Sequence, residues 1–128
     1  EKEAFDRYFG NRGPSFVSGS SLSPKCVMDM IHQAGGIPVL AHPIYLNDDR
    51  LIEQFAREGL VGLEVYHSSH TPDVAQRYQR IADQLGLLAT GGSDYHGKGK
   101  EGATIGATPV PYALVEALKA WKQNRCAR

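Results

Sequence analysis

Three short stretches of this 128-residue chain carry the residue types that perform metal and acid–base chemistry. They are Ala41-His42-Pro43, Glu64-Val65-Tyr66-His67-Ser68-Ser69-His70 and Gly91-Gly92-Ser93-Asp94-Tyr95-His96-Gly97. In the Asp-x-His step, Asp94 and His96 offer one ion a hard oxygen and an imidazole, and His42 offers a second imidazole. Mixed carboxylate and imidazole donors suit manganese, iron or zinc, whereas a closed structural zinc site calls for cysteines. Cys26 and Cys126 lie far apart, with no Cys or His partner at metal-site spacing. The bland reading is that each histidine merely caps a strand; the shared placement of His42, Asp94 and His96 argues for a common site. His67 and His70 are spaced to face one pocket and touch a substrate, or else they organise the turn before Thr71. Glu64 lies within an apolar run, and a buried carboxylate needs a partner. A hydrogen bond to a metal-bound histidine would supply it, and so would an arginine. His32, in a helix beside Gln33, is expected at the surface.

For these groups to meet, the elements around them must bring distant positions together. Ser23-Pro24 reads as a helix start, a hydroxyl cap followed by proline at the first helical position. Val27, Ile31 and Ala34 form its apolar stripe, and Gly35-Gly36 ends it. Ile37 to Ala41 is a short apolar strand of the kind covered on both faces. A second helix carries Leu51, Ile52, Phe55 and Ala56 and stops at Gly59, and Val61 to Tyr66 is the next strand. Thr71-Pro72 opens a third helix with Val74, Ala75, Tyr78, Ile81, Ala82 and Leu85. Gly86 closes it before a third strand, Leu87 to Thr90. A short extended piece around Thr104 to Pro109 and a helix with Leu114, Leu118 and Trp121 come next. Upstream, residues 2–9 read as an amphipathic helix and Gly10 to Ser21 as a connector. Strict alternation with short links predicts a parallel sheet and an α/β fold. In such sheets the carboxyl ends of the strands share one side, where ligands bind. All three polar stretches fall at those ends. The strands are too few to close a barrel, so the sheet is either open or part of a larger one.

Composition narrows the function class. Fourteen basic residues balance fourteen acidic ones, which removes any global argument for a nucleic-acid or anionic membrane surface. No apolar run approaches the roughly 20 residues of a membrane span. The two isolated cysteines fit a reduced, cytoplasmic setting. Gly97-Lys98-Gly99-Lys100-Glu101-Gly102 matches a dinucleotide-binding fingerprint, but that motif requires a helix opening within it, and Ala103-Thr104-Ile105-Gly106 does not read as one. A lysine-bearing loop beside an anion site is the better reading, against a plain solvated loop.

The stretches 35–43 (Gly-Gly-Ile-Pro-Val-Leu-Ala-His-Pro), 62–71 (Gly-Leu-Glu-Val-Tyr-His-Ser-Ser-His-Thr) and 92–97 (Gly-Ser-Asp-Tyr-His-Gly) resemble consecutive motifs of the PHP (polymerase and histidinol phosphatase) superfamily of metal-dependent phosphoesterases. The nearest branch is the TrpH-like one, which acts on nucleoside bisphosphates or short RNA. Residues 3–9 and 13–17 resemble the segment leading out of that branch's inserted helical subdomain. The resemblance implies the C-terminal part of a distorted (β/α)7 barrel over residues 23–128, preceded by the end of the inserted subdomain and a connector over 1–22. It implies divalent metal ions, manganese first, with zinc, iron and magnesium as alternatives. Their ligands here would be His42, Asp94 and His96, and His70 would lie at the substrate phosphate. The implied substrate is a phosphorylated nucleotide or short oligonucleotide, attacked in line by water that the metals acidify. The family's opening His-x-His pair and the acidic residues and histidine that accompany it do not precede Glu1. The isolated chain is therefore expected to be a partial domain that self-associates and hydrolyses phosphoesters slowly or not at all. The rivals are a non-catalytic metal- or nucleotide-binding module, and a nicotinamide-dependent oxidoreductase resting on the glycine-rich loop alone.

Overall fold

The computed structural model describes residues 22–97 and 103–126, together with Pro14. The expected helix over 2–9, most of the connector after it and the lysines of the 97–102 loop lie outside the described residues. Helix α1 (Pro24–Gln33) begins where Ser23 accepts a hydrogen bond from the backbone of Cys26 at 3.2 Å, with Pro24 in the first turn. Its inward residue is Met28, while Val27 of the expected stripe is 40% exposed. Strand β1 is only Val39–Leu40. Pro38 has no N–H to give to a ladder, and its carbonyl instead receives the N–H groups of Val61 and Gly62.

A 3₁₀ turn (Pro43–Leu46) leads to α2 (Arg50–Glu58), ended by Gly59 at φ 118°. Strand β2 (Gly62–His67) is followed by α3 (Pro72–Leu85), which Thr71 caps by accepting from Val74 N–H. Strand β3 (Leu88–Gly92) and α4 (Ala113–Cys126) complete the chain. Between them, the stretch expected to be extended around Thr104 to Pro109 turns instead. Ala107 N–H bonds back to Thr104, and Gly106 takes φ 81°.

The described strands form one parallel sheet in the order β1-β2-β3. Ile52, Leu63, Val65, Tyr78 and Ala82 are essentially sealed from solvent and form the core between this sheet and its helices. The ladder between β2 and β3 slips by one residue at Val65, so that Glu64 faces Thr90 but Tyr66 faces Gly91 and His67 faces Gly92. Such a slip bends a strand and re-aims the residues beyond it. It requires glycine at 91, where a Cβ would come within 2.5 Å of Tyr66. The slip therefore sets the position of His67 at the end of the sheet.

His32 is half-buried rather than a surface residue. Its Nε2 donates to the Gly59 carbonyl at 2.8 Å, and its ring stacks near Trp121. It ties α1 to the end of α2 and to α4.

Candidate metal centre

The polar residues just past the three strands meet at one end of the sheet. His42 comes directly after β1 and Ala41, at φ 47° and ψ 52°. Asp94 comes two residues after β3, at φ 55°. Left-handed backbone is unusual for residues other than glycine and concentrates where a site needs it. At His42 it is held by Glu64, whose Oε2 accepts the His42 backbone N–H at 2.8 Å. Among the described residues, Glu64 thus has its partner in a peptide group of the neighbouring strand end, not in an arginine or an imidazole.

His42 Nε2 lies 3.7 Å from Asp94 Oδ1, and His67 Nε2 lies 3.7 Å from Asp94 Oδ2. Donor atoms of His42, His67 and Asp94 all fall within 4.8 Å of one another. Ligand bonds of about 2.0–2.2 Å place donors sharing an ion roughly 3–4 Å apart, so this spacing and donor chemistry fit a divalent cation. The His67 side chain is 3% exposed, and its Nε2 is buried with no hydrogen-bond partner. The sequence puts His67 with the substrate; the structure brings it against Asp94.

His96 sits at the rim. Its Nδ1 donates to the Asp94 carbonyl at 2.7 Å and lies 3.4 Å from Asp94 Oδ1. A backbone carbonyl on one ring nitrogen is the usual support for a histidine that ligates through the other. His70 stands behind His67, with ring centroids 5.3 Å apart, and its Nδ1 donates to the Val65 carbonyl at 2.8 Å. Its Nε2 is buried without a partner. The other side of its ring packs on Tyr78, whose phenol is pushed above its ordinary pKa by burial.

His67 and His70 also line a cleft of about 500 Å³ together with Gln76, Gln79 and Thr108. Sequence reasoning missed Ser69, which lies against His67 Nδ1 through both its hydroxyl and its backbone N–H. The signal was present: a serine two residues after a strand-end histidine readily bonds back to it.

Comparison with known proteins gives relatives of one chemical kind. A 3',5'-nucleoside bisphosphate phosphatase of Chromobacterium violaceum is 34% identical over 112 residues, covering 84% of this chain and 39% of the relative. A 5'-3' exoribonuclease of Haemophilus influenzae is 33% identical over 99 residues, covering 73% of this chain and 36% of the relative. Among solved structures, a protein of Bifidobacterium adolescentis described as a metal-dependent phosphoesterase superposes with a TM-score of 0.74 at 30% identity, over 93% of this chain and 43% of that one. The chain thus spans about two fifths of the length of the proteins it matches. No protein-family model matches it.

Proposed function

Because the chain belongs to the PHP superfamily of metal-dependent phosphoesterases, we propose that its strand ends form part of a site hydrolysing phosphate esters of nucleotides or short oligonucleotides. Residues 23–128 are then the C-terminal part of the catalytic domain, with 1–22 leading into it. The reading rests above all on the convergence of imidazole and carboxylate donors about Asp94, from strand ends up to 52 positions apart in sequence.

His42, Asp94 and His96 would hold a divalent ion, manganese first among the candidates. When bound, that ion supplies Lewis acidity toward the phosphate and toward water. Glu64 holds the backbone from which the His42 imidazole projects. His67 and His70 would border the ester through the cleft that they line.

The test is manganese-dependent release of phosphate from a nucleoside 3',5'-bisphosphate and from a 5'-phosphorylated short RNA. It is run on the complete gene product and on the 128-residue chain. The complete product is expected to turn over one of them and to lose both turnover and metal binding with Asp94→Asn, whereas the short chain is slow or inactive. Full activity and unchanged metal stoichiometry in the Asp94 variant would remove the assignment.

A further inference from the structure

The Nδ1 atoms of the site's imidazoles are committed to neighbours of different character. His70 Nδ1 faces the Val65 carbonyl at 2.8 Å and His96 Nδ1 the Asp94 carbonyl at 2.7 Å. A carbonyl only accepts, so each ring carries its proton on Nδ1 and, when neutral, keeps a lone pair on Nε2. His67 is the reverse. Its Nδ1 receives the backbone N–H of Ser69 at 3.1 Å and faces the Ser69 hydroxyl at 2.7 Å. An amide N–H only donates, so this Nδ1 holds the lone pair, and the hydroxyl turns its hydrogen to the same atom. The proton of neutral His67 is then on Nε2, which is buried, lacks a hydrogen-bond partner and lies 3.7 Å from Asp94 Oδ2.

We propose that Ser69 is a positioning residue that locks His67 in its Nε2–H tautomer, so that His67 turns an N–H toward the Asp94 carboxylate instead of a lone pair toward a metal ion. This deepens the phosphoesterase reading and rests on it for the presence of a metal ion. A protonated ring nitrogen does not coordinate. To ligate through Nε2, His67 would have to move its proton to Nδ1, against the Ser69 N–H. Turning the ring over is opposed by its packing between His42 and His70, with centroids 5.1 and 5.3 Å away. Of the three residues whose donors converge most tightly, His67 is therefore the one that does not bind the ion. Coordination falls to His42, Asp94 and the rim residue His96.

Two-bond proton–nitrogen spectra of the ¹⁵N-labelled 128-residue chain read each tautomer directly, with His67 assigned by its loss in His67→Gln. The expected result is Nε2–H at His67 and Nδ1–H at His70. Ser69→Ala should shift the His67 tautomer ratio by about threefold to tenfold, the equivalent of one ordinary hydrogen bond, while leaving His70 unchanged. Ser69→Thr should restore the wild-type pattern. Zinc, added as a diamagnetic probe, should shift Nε2 of His42 and His96 and spare the His67 Nε2–H. A proton on His67 Nδ1 in the wild-type chain, a Ser69→Ala spectrum identical to wild type, or zinc displacing the His67 proton would each overturn the inference. If zinc shifts no histidine while His67 keeps its Nε2–H, the metal reading fails and the tautomer assignment stands.

Discussion

Replacing Glu64 by alanine separates stability from site geometry. The His42 backbone lies in the left-handed region, at a cost of about 1–2 kcal/mol for a non-glycine residue. The carboxylate of Glu64 accepts its N–H at 2.8 Å, and a hydrogen bond to a charged group contributes about 1.5–3 kcal/mol. The bond therefore outweighs the strain by a small margin. Without it, the segment can relax from the left-handed region and recover part of the loss, leaving a net destabilisation of roughly 0.5–2 kcal/mol. The same relaxation swings the imidazole away from Asp94, now 3.7 Å distant. Loss of an outer-shell support of this kind lowers metal affinity about 10–100-fold. Urea unfolding without metal reads the first effect, and calorimetric titration with manganese reads the second. Glu64→Gln keeps an acceptor without the charge and should fall between wild type and alanine in both. A destabilised Glu64→Ala chain with wild-type manganese affinity would refute the argument, because the carboxylate would then support the fold without placing the ligand.

Gly91→Ala puts a methyl group within 2.5 Å of the Tyr66 backbone and Cβ; a loss of about 1–3 kcal/mol is expected in the urea midpoint, and a midpoint near wild type would mean the register slip yields freely. His32→Ala breaks the bond to the Gly59 carbonyl and should cost about 1 kcal/mol and alter the fluorescence of Trp121, the chain's one tryptophan, with manganese affinity unchanged. Burial raises the Tyr78 pKa, so the folded state keeps a proton that the unfolded chain releases near pH 10. Stability should therefore fall as pH rises above about 10, with a shallower fall in Tyr78→Phe on alkaline urea titration. Among the described residues, the outer edges of β1 and β3 have no strand partner, and Leu22, Val27, Met30 and Val39 are exposed. Such edges and apolar surface promote association, so sedimentation should find dimers or larger species, and a clean monomer at high concentration would contradict this.

Much of the architecture was legible because its signals are local. Ser23-Pro24 and Thr71-Pro72 mark helix starts through a hydroxyl and a fixed φ, and Gly59 and Gly86 mark helix ends through left-handed backbone. Alternation of such helices with apolar runs leaves a parallel sheet as the economical arrangement, and parallel strands place His42, Asp94 and His96 at the same end. The shortness of β1 was less visible, because it depends on Pro38 using its carbonyl, not a ladder N–H, to join the neighbouring strand.

What the sequence determined by itself is therefore the inventory and side of the site: which histidines and carboxylates are present, and that they share one end of a parallel sheet. Only the tertiary structure decided how they divide the work. The register slip at Val65 sets where β2 delivers His67, and that ring lies against Asp94. Glu64 reaches across to the peptide of His42, and His32 spans from α1 to the end of α2. These pairings join residues 22 and 27 positions apart through single hydrogen bonds. Periodicity and residue type carry no record of them, because each depends on where two separately formed elements come to rest against each other.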